Sequence, residues 1–174
     1  MDYLYSRAEA YVEQYGTRDP YELLNGIGAR VIVTHDFEPD GLKGFAAIEN
    51  RMMYAVINGK LNKHEQHIIA GHEAAHLINH EAEILASPAR AMQDFDLYCN
   101  KGRLENEANR FLADFLTGDE EVLDMLSSHD GFYDLASVLY LPPPLLGFKL
   151  YSMMQRGLPV KSPVDLKSDF LAQN

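Results

Sequence analysis

The sequence predicts an α+β fold: a small antiparallel or mixed sheet packed on a helical core, with a helix–turn–helix-like C-terminal subregion. Three observations carry that prediction. Strand-like runs cluster between residues 30 and 58, almost everything after residue 62 reads as helix or loop, and the longest helix bears an H-E-x-x-H pattern.

The elements follow in order. Tyr3, Leu4, Ala8, Tyr11, Val12 and Tyr15 recur at helical spacing over residues 2–15, and Gly16 supplies a stop. "TRDPYELLNGIGARVIV" reads as a capped helix with Pro20 in its first turn, a glycine-marked turn and a strand over 30–34. Two further strands, 42–48 and 52–58, are joined through Glu49-Asn50-Arg51; this is not a preferred Asn-Gly turn, so the pattern leaves their register open. Asn62 caps a helix running from 63 to about 80, with Glu65 completing a capping-box pair. Residues 81–101 read as a loop with one short helix, broken by Ser87-Pro88 and Asn100-Lys101-Gly102. Helices follow over 103–117, 119–127 and 133–140; the prolines at 142–144 then precede a helix over 145–156. The expected organisation is a main domain over 1–127, a helical subregion over 128–157 packed on it, and an irregular tail over 158–174.

Composition narrows the function. With 26 acids against 15 Lys and Arg, the net charge of −11 would repel a phosphate backbone, which argues against direct nucleic-acid binding. Cys99 is the single cysteine, so a disulfide within the chain and a cysteine-built zinc site are excluded; a small buried hydrophobe is its expected role. The first residues lack the pattern of a signal peptide and no run is apolar enough to span a membrane, so the expectation is a soluble cytoplasmic protein.

Within "IIAGHEAAHLINHEAE" (68–83), His72 and His76 stand four residues apart, which brings two imidazoles to one point on a helix face. Glu73 lies about 100° round the helix, within reach of a metal-bound water but outside a ligand position. Zinc lowers the pKa of such a water towards 7; the carboxylate can take its proton during attack on a carbonyl and pass it to the leaving amine. The pattern alone also fits an ordinary histidine-rich helix, so a third ligand is needed.

The helix "GRLENEANRFLADFL" (102–116) offers one. Leu104, Ala108, Phe111, Leu112, Phe115 and Leu116 form a broad apolar face with Glu105 at its edge. Glu107 projects to the opposite side with Arg110 and Asp114, as a solvated charge paired with Arg110. Glu105 is therefore the predicted third ligand, and Asn109, one turn on, is placed to accept the free N–H of a ligating histidine.

"GHEAAHLINH" followed by "ENEANRFLADFL" resembles the ImmA/IrrE group of zinc metallopeptidases, and the resemblance spans most of residues 1–157. The E-x-x-A-N-x-F segment is the more selective part. The resemblance implies a zincin-type, gluzincin-like core with His72, His76 and Glu105 as zinc ligands and Glu73 as general base. The chain departs from the family where the second helix ends, reading Phe115-Leu116-Thr117-Gly118 in place of a Leu-Met-Pro-like end.

Other candidates are weaker. His80 is one turn beyond His76, but three successive turns cannot easily converge on one tetrahedral ion, so a hydrogen-bonding role or a substrate or oxyanion contact is expected. Tyr98, His129 and Tyr133 are further candidates for stabilising an oxyanion, and the sequence does not choose among them. His64 and His67 read as surface residues, and His35 has no motif context. The helix following the prolines begins Leu145-Leu146-Gly147, which lacks base-reading side chains, so packing on the core is expected of it.

The function expected from residues and resemblance together is a zinc-dependent regulatory endopeptidase, with manganese able to serve in vitro. Its expected substrate is a helix–turn–helix transcriptional repressor, of the kind encoded beside such proteases in mobile elements or stress-response loci. The 42–58 hairpin is the expected edge for pairing with an extended substrate. Two alternatives come from other classes: a non-proteolytic repressor- or toxin-binding module with a structural zinc, and a hydrolase of small amides.

Overall fold

The first three helices start on side-chain caps. Asp2 accepts from the Leu4 N–H at the start of α1 (Tyr3–Tyr15), and Asp19 accepts from the Tyr21 and Glu22 N–H groups at the start of α2 (Pro20–Gly26). At α3 (Lys63–Asn79) the capping box is complete: the Glu65 N–H donates to Asn62 Oδ1 at 2.9 Å, and the Asn62 N–H to Glu65 Oε2 at 3.0 Å. The computed structural model describes residues 2–94, 102–128 and 131–160. Cys99 and most of the expected irregular tail lie outside the described residues.

The chain adopts the expected α+β class, with a four-stranded mixed sheet in the order β1-β3-β2-β4. β1 (Arg30–Thr34) pairs parallel with β3 (Met52–Asn58), while β2 (Gly44–Glu49) pairs antiparallel with both β3 and β4 (Ala91–Asp94). The hairpin register left open by the sequence is Glu49 opposite Met52. Asn50 and Arg51 both have positive φ, 51° and 63°, as a two-residue type I′ turn requires. The turn thus has the geometry usually carried by Asn-Gly, with arginine in the second position.

Two expectations are corrected. Residues 81–94 hold not only the short helix α4 (Glu81–Ala86) but also the strand β4, whose four residues are too few to show a period of two. The 42–58 hairpin has no open edge either, because β3 lies between β1 and β2, and β2 between β3 and β4. Among the described residues the sheet edges are β1 and β4.

The helices assemble around α3. One side of α3 packs on β2 and β3; α2 and α5 (Arg103–Leu116) pack on it as well. Its residues Ile68 to Ile78 are all buried. α1 and α8 (Pro143–Gln155) pack in turn on α5, with the short α6 (Asp119–Leu126) and α7 (Phe132–Val138) between α5 and α8 in the chain. α8 starts earlier than expected, taking Pro143 and Pro144 into its first turn, where a missing N–H costs no helical hydrogen bond. It buries Leu145, Leu146, Phe148, Leu150 and Met153.

Asp114, on the side of α5 opposite the apolar face with Glu107 and Arg110, is fully buried and paired with Lys149 of α8 at 3.0 Å. Ser152 donates to the other Asp114 oxygen at 2.6 Å. α5 therefore buries two sides, its apolar face and the Asp114 side that α8 covers.

Candidate metal centre

The site forms where α5 crosses α3. A β-carbon at Gly71 would stand 2.3 Å from Leu112 Cδ1, so only glycine lets α5 approach this closely next to His72. That approach brings Glu105 over the two histidines. His72 Nε2 lies 3.0 Å from His76 Nε2 and 3.1 Å from Glu105 Oε2, and His76 Nε2 lies 3.4 Å from Glu105 Oε1.

These spacings and donor types fit a metal ion. A tetrahedral zinc with bonds of about 2.0–2.1 Å separates neighbouring donor atoms by about 3.3–3.4 Å. Two imidazole nitrogens and a carboxylate facing one another are also mutually repulsive unless a cation or shared protons lie between them. Burial acts to raise the Glu105 pKa, but hydrogen bonding to the His72 and His76 rings outweighs it and holds the carboxyl well below the ordinary range. His72, His76 and Glu105 thus lie close enough together to hold a metal ion in common.

Glu73 is fully buried between α3 and the sheet. Its carboxylate rests against Gly44 of β2, where a β-carbon would stand 2.6 Å from Glu73 Oε1. The glycine at this register position leaves room for the carboxylate. Asn109 is buried one turn beyond Glu105 on the same helix.

Glu107 departs from its expected role. It pairs with Arg103, one turn earlier, at 2.9 Å and with His80 Nε2 at 3.2 Å; Arg110, its expected partner, is engaged by Asp2 of α1. Sequence projection places Glu107 away from the apolar face, but α3 extends far enough past that face for His80 to reach it. His80 is 1% exposed and its second ring nitrogen, Nδ1, lies 2.9 Å from His76 Nδ1. Burial and the neighbouring His76 push the His80 pKa down, with Glu107 opposing them. Both ring nitrogens of His80 therefore have partners within the protein.

Among the other candidates, Tyr133 is 75% exposed on α7 with its ring edge-on to Phe132. Tyr98 and His129 lie outside the described residues. His64 is exposed near the start of α3, and half-buried His67 packs its ring near Tyr21, with burial lowering its pKa. No helix among the described residues is long and apolar enough to cross a membrane.

No protein-family model matches the chain, and no curated protein matches it.

Proposed function

We propose that this protein is a zinc-dependent endopeptidase of the ImmA/IrrE kind that cleaves a helix–turn–helix transcriptional repressor. The observation that carries the reading is the convergence of His72 Nε2, His76 Nε2 and the Glu105 carboxylate at 3.0–3.4 Å, with Glu73 next to His72 on α3. A zinc ion held there would supply a Lewis acid able to acidify water and polarise a peptide carbonyl. Manganese could substitute in vitro.

The chain's own residues then have distinct tasks. Glu73 takes the proton of the attacking water and returns it to the leaving amine. Gly44 leaves room for that carboxylate, and the packing of α3 between β2 and α5 holds it in place. An extended substrate would pair along β4, because Asp94 of that edge strand stands opposite Gly44. The repressor as substrate comes from the resemblance of "GHEAAHLINH" and "ENEANRFLADFL" to that family. The basic DNA-binding surface of such a repressor would also be attracted by a net charge of −11.

A second reading is favoured by the complete burial of His72, Glu73 and His76: a non-proteolytic module that sequesters a repressor or toxin around a structural zinc. Incubating a repressor encoded beside the gene with zinc-loaded wild type or Glu73→Gln, followed by mass spectrometry, separates the two. Endopeptidase activity predicts discrete fragments with wild type and none with Glu73→Gln. Fragments of equal yield from both would remove Glu73 from the chemistry, and an intact but bound repressor would establish the module.

A further inference from the structure

We infer that His80 and Glu107 are positioning residues for the metal centre, together fixing the His76 ring in the one tautomer that can offer Nε2 to a metal. The inference rests on the metal-site reading above. α3 ends at Asn79, and His80 has left helical backbone geometry at φ −127°, ψ 28°. Its ring lies behind His76, on the Nδ1 side, with contacts of 2.9 Å to His76 Nδ1 and 3.2 Å to Glu107 Oε2.

The order of donors follows from the two ends of this row. A nitrogen that gives its lone pair to a metal carries no proton, so a ligating His76 must carry its proton on Nδ1. That N–H points at His80 Nδ1, which must then accept. The neutral His80 ring consequently bears its proton on Nε2, where the Glu107 carboxylate accepts it. Arg103 donates to both Glu107 oxygens, at 2.9 and 3.0 Å, and anchors the outer end. The reverse order of neutral rings fails: it would set a bare His80 nitrogen against a carboxylate and place a proton on His76 Nε2, where the metal must bind.

Partners of this kind orient the ligand ring and raise its basicity, and losing them lowers metal affinity by about 10–100-fold. The sequence suggests a hydrogen-bonding role or a substrate or oxyanion contact for His80, without a partner. Nothing in the sequence connects it with Glu107, which lies 27 positions away.

The test uses the full chain. Cobalt(II) is titrated into wild type, His80→Leu, His80→Asn and Glu107→Ala, with the tetrahedral visible absorption band as readout and circular dichroism confirming the fold. His80→Leu and Glu107→Ala should bind cobalt about 10–100-fold more weakly. His80→Asn, whose amide oxygen can still accept from His76, should recover part of the loss. In the metal-free protein, long-range proton–nitrogen NMR should find the His76 proton on Nδ1 in wild type and a mixed tautomer in His80→Leu. Glu107→Ala changes a part-exposed side chain and keeps the test alive should His80→Leu fail to fold. Wild-type cobalt affinity in Glu107→Ala and in folded His80→Leu would overturn the inference alone, whereas a wild type that binds no cobalt would overturn the metal-centre reading beneath it.

Discussion

Gly44 of β2 lies directly against the carboxylate of Glu73 in α3, leaving no space between them for a side chain. A β-carbon at 44 would meet Ile69 Cγ2 at 2.5 Å, Glu73 Oε1 at 2.6 Å and the Val56 carbonyl at 2.9 Å. The first two neighbours can shift, but the third is backbone in the middle of the sheet.

Gly44→Ala should therefore destabilise the fold by about 1–3 kcal/mol, the usual cost of overpacking. It should also displace the Glu73 carboxylate; if the protein is the endopeptidase proposed above, a misplacement of about 1 Å should slow peptide cleavage by about 100-fold. Metal affinity should change little, because the three atoms nearest the added methyl belong to Ile69, Glu73 and Val56 and to none of His72, His76 and Glu105. Urea melts, cleavage assays and cobalt titration measure the three quantities, and an alanine variant as stable and active as wild type contradicts the proposed role of this contact.

Metal binding should be visible as stability. A ligand that binds only the folded chain adds about 2.7 kcal/mol at a free concentration 100 times its Kd. Zinc should raise the melting temperature of wild type and a chelator should reverse the rise. His76→Ala and Glu105→Ala should show neither effect. An equal zinc response in Glu105→Ala would mean that the ion binds elsewhere.

The β2–β3 turn offers a stabilising substitution. Arg51 holds φ at 63°, where its β-carbon crowds the backbone and glycine does not. Arg51→Gly should stabilise the protein by about 0.5–1 kcal/mol in chemical denaturation. A loss of stability would mean that the arginine side chain contributes more than its backbone conformation costs.

Acid stability should depend on Asp119. Burial acts to raise its pKa, but hydrogen bonds from Arg156 and Lys149 bring it down to about 2 from an ordinary 3.8. A folded-state pKa below the unfolded one means that this group stabilises the protein fully above pH 3.8 and loses its contribution as pH falls towards 2. Asp114, whose pKa burial raises, acts in the opposite sense. The melting-temperature difference between wild type and Asp119→Asn should be constant near neutrality and shrink across that acid window. A difference unchanged at pH 2 would contradict the assignment.

Much of this was legible locally. Asp19, Asn62 and Glu65 announce their caps through bonds that span only a few residues, so sequence spacing suffices to find them. The selection of Glu105 over Glu107 for the metal side also needed only the 3.6-residue period of α5. β4 was not legible because four edge residues carry too little pattern, and the I′ turn was hidden because Arg51 occupies a position usually given to glycine.

From the sequence alone come the caps of α2 and α3, the His72–His76 pair and the choice of Glu105 as its partner: properties of short-range hydrogen bonding and of a single helix's period. Tertiary packing was needed to bury Asp114 with Lys149 of α8 and to set β4 along the hairpin edge. It also placed Glu107 behind His80 and Glu73 on Gly44. Each of these depends on how closely two separate elements approach, which is set by the packing of both surfaces and cannot be read from the period of either one.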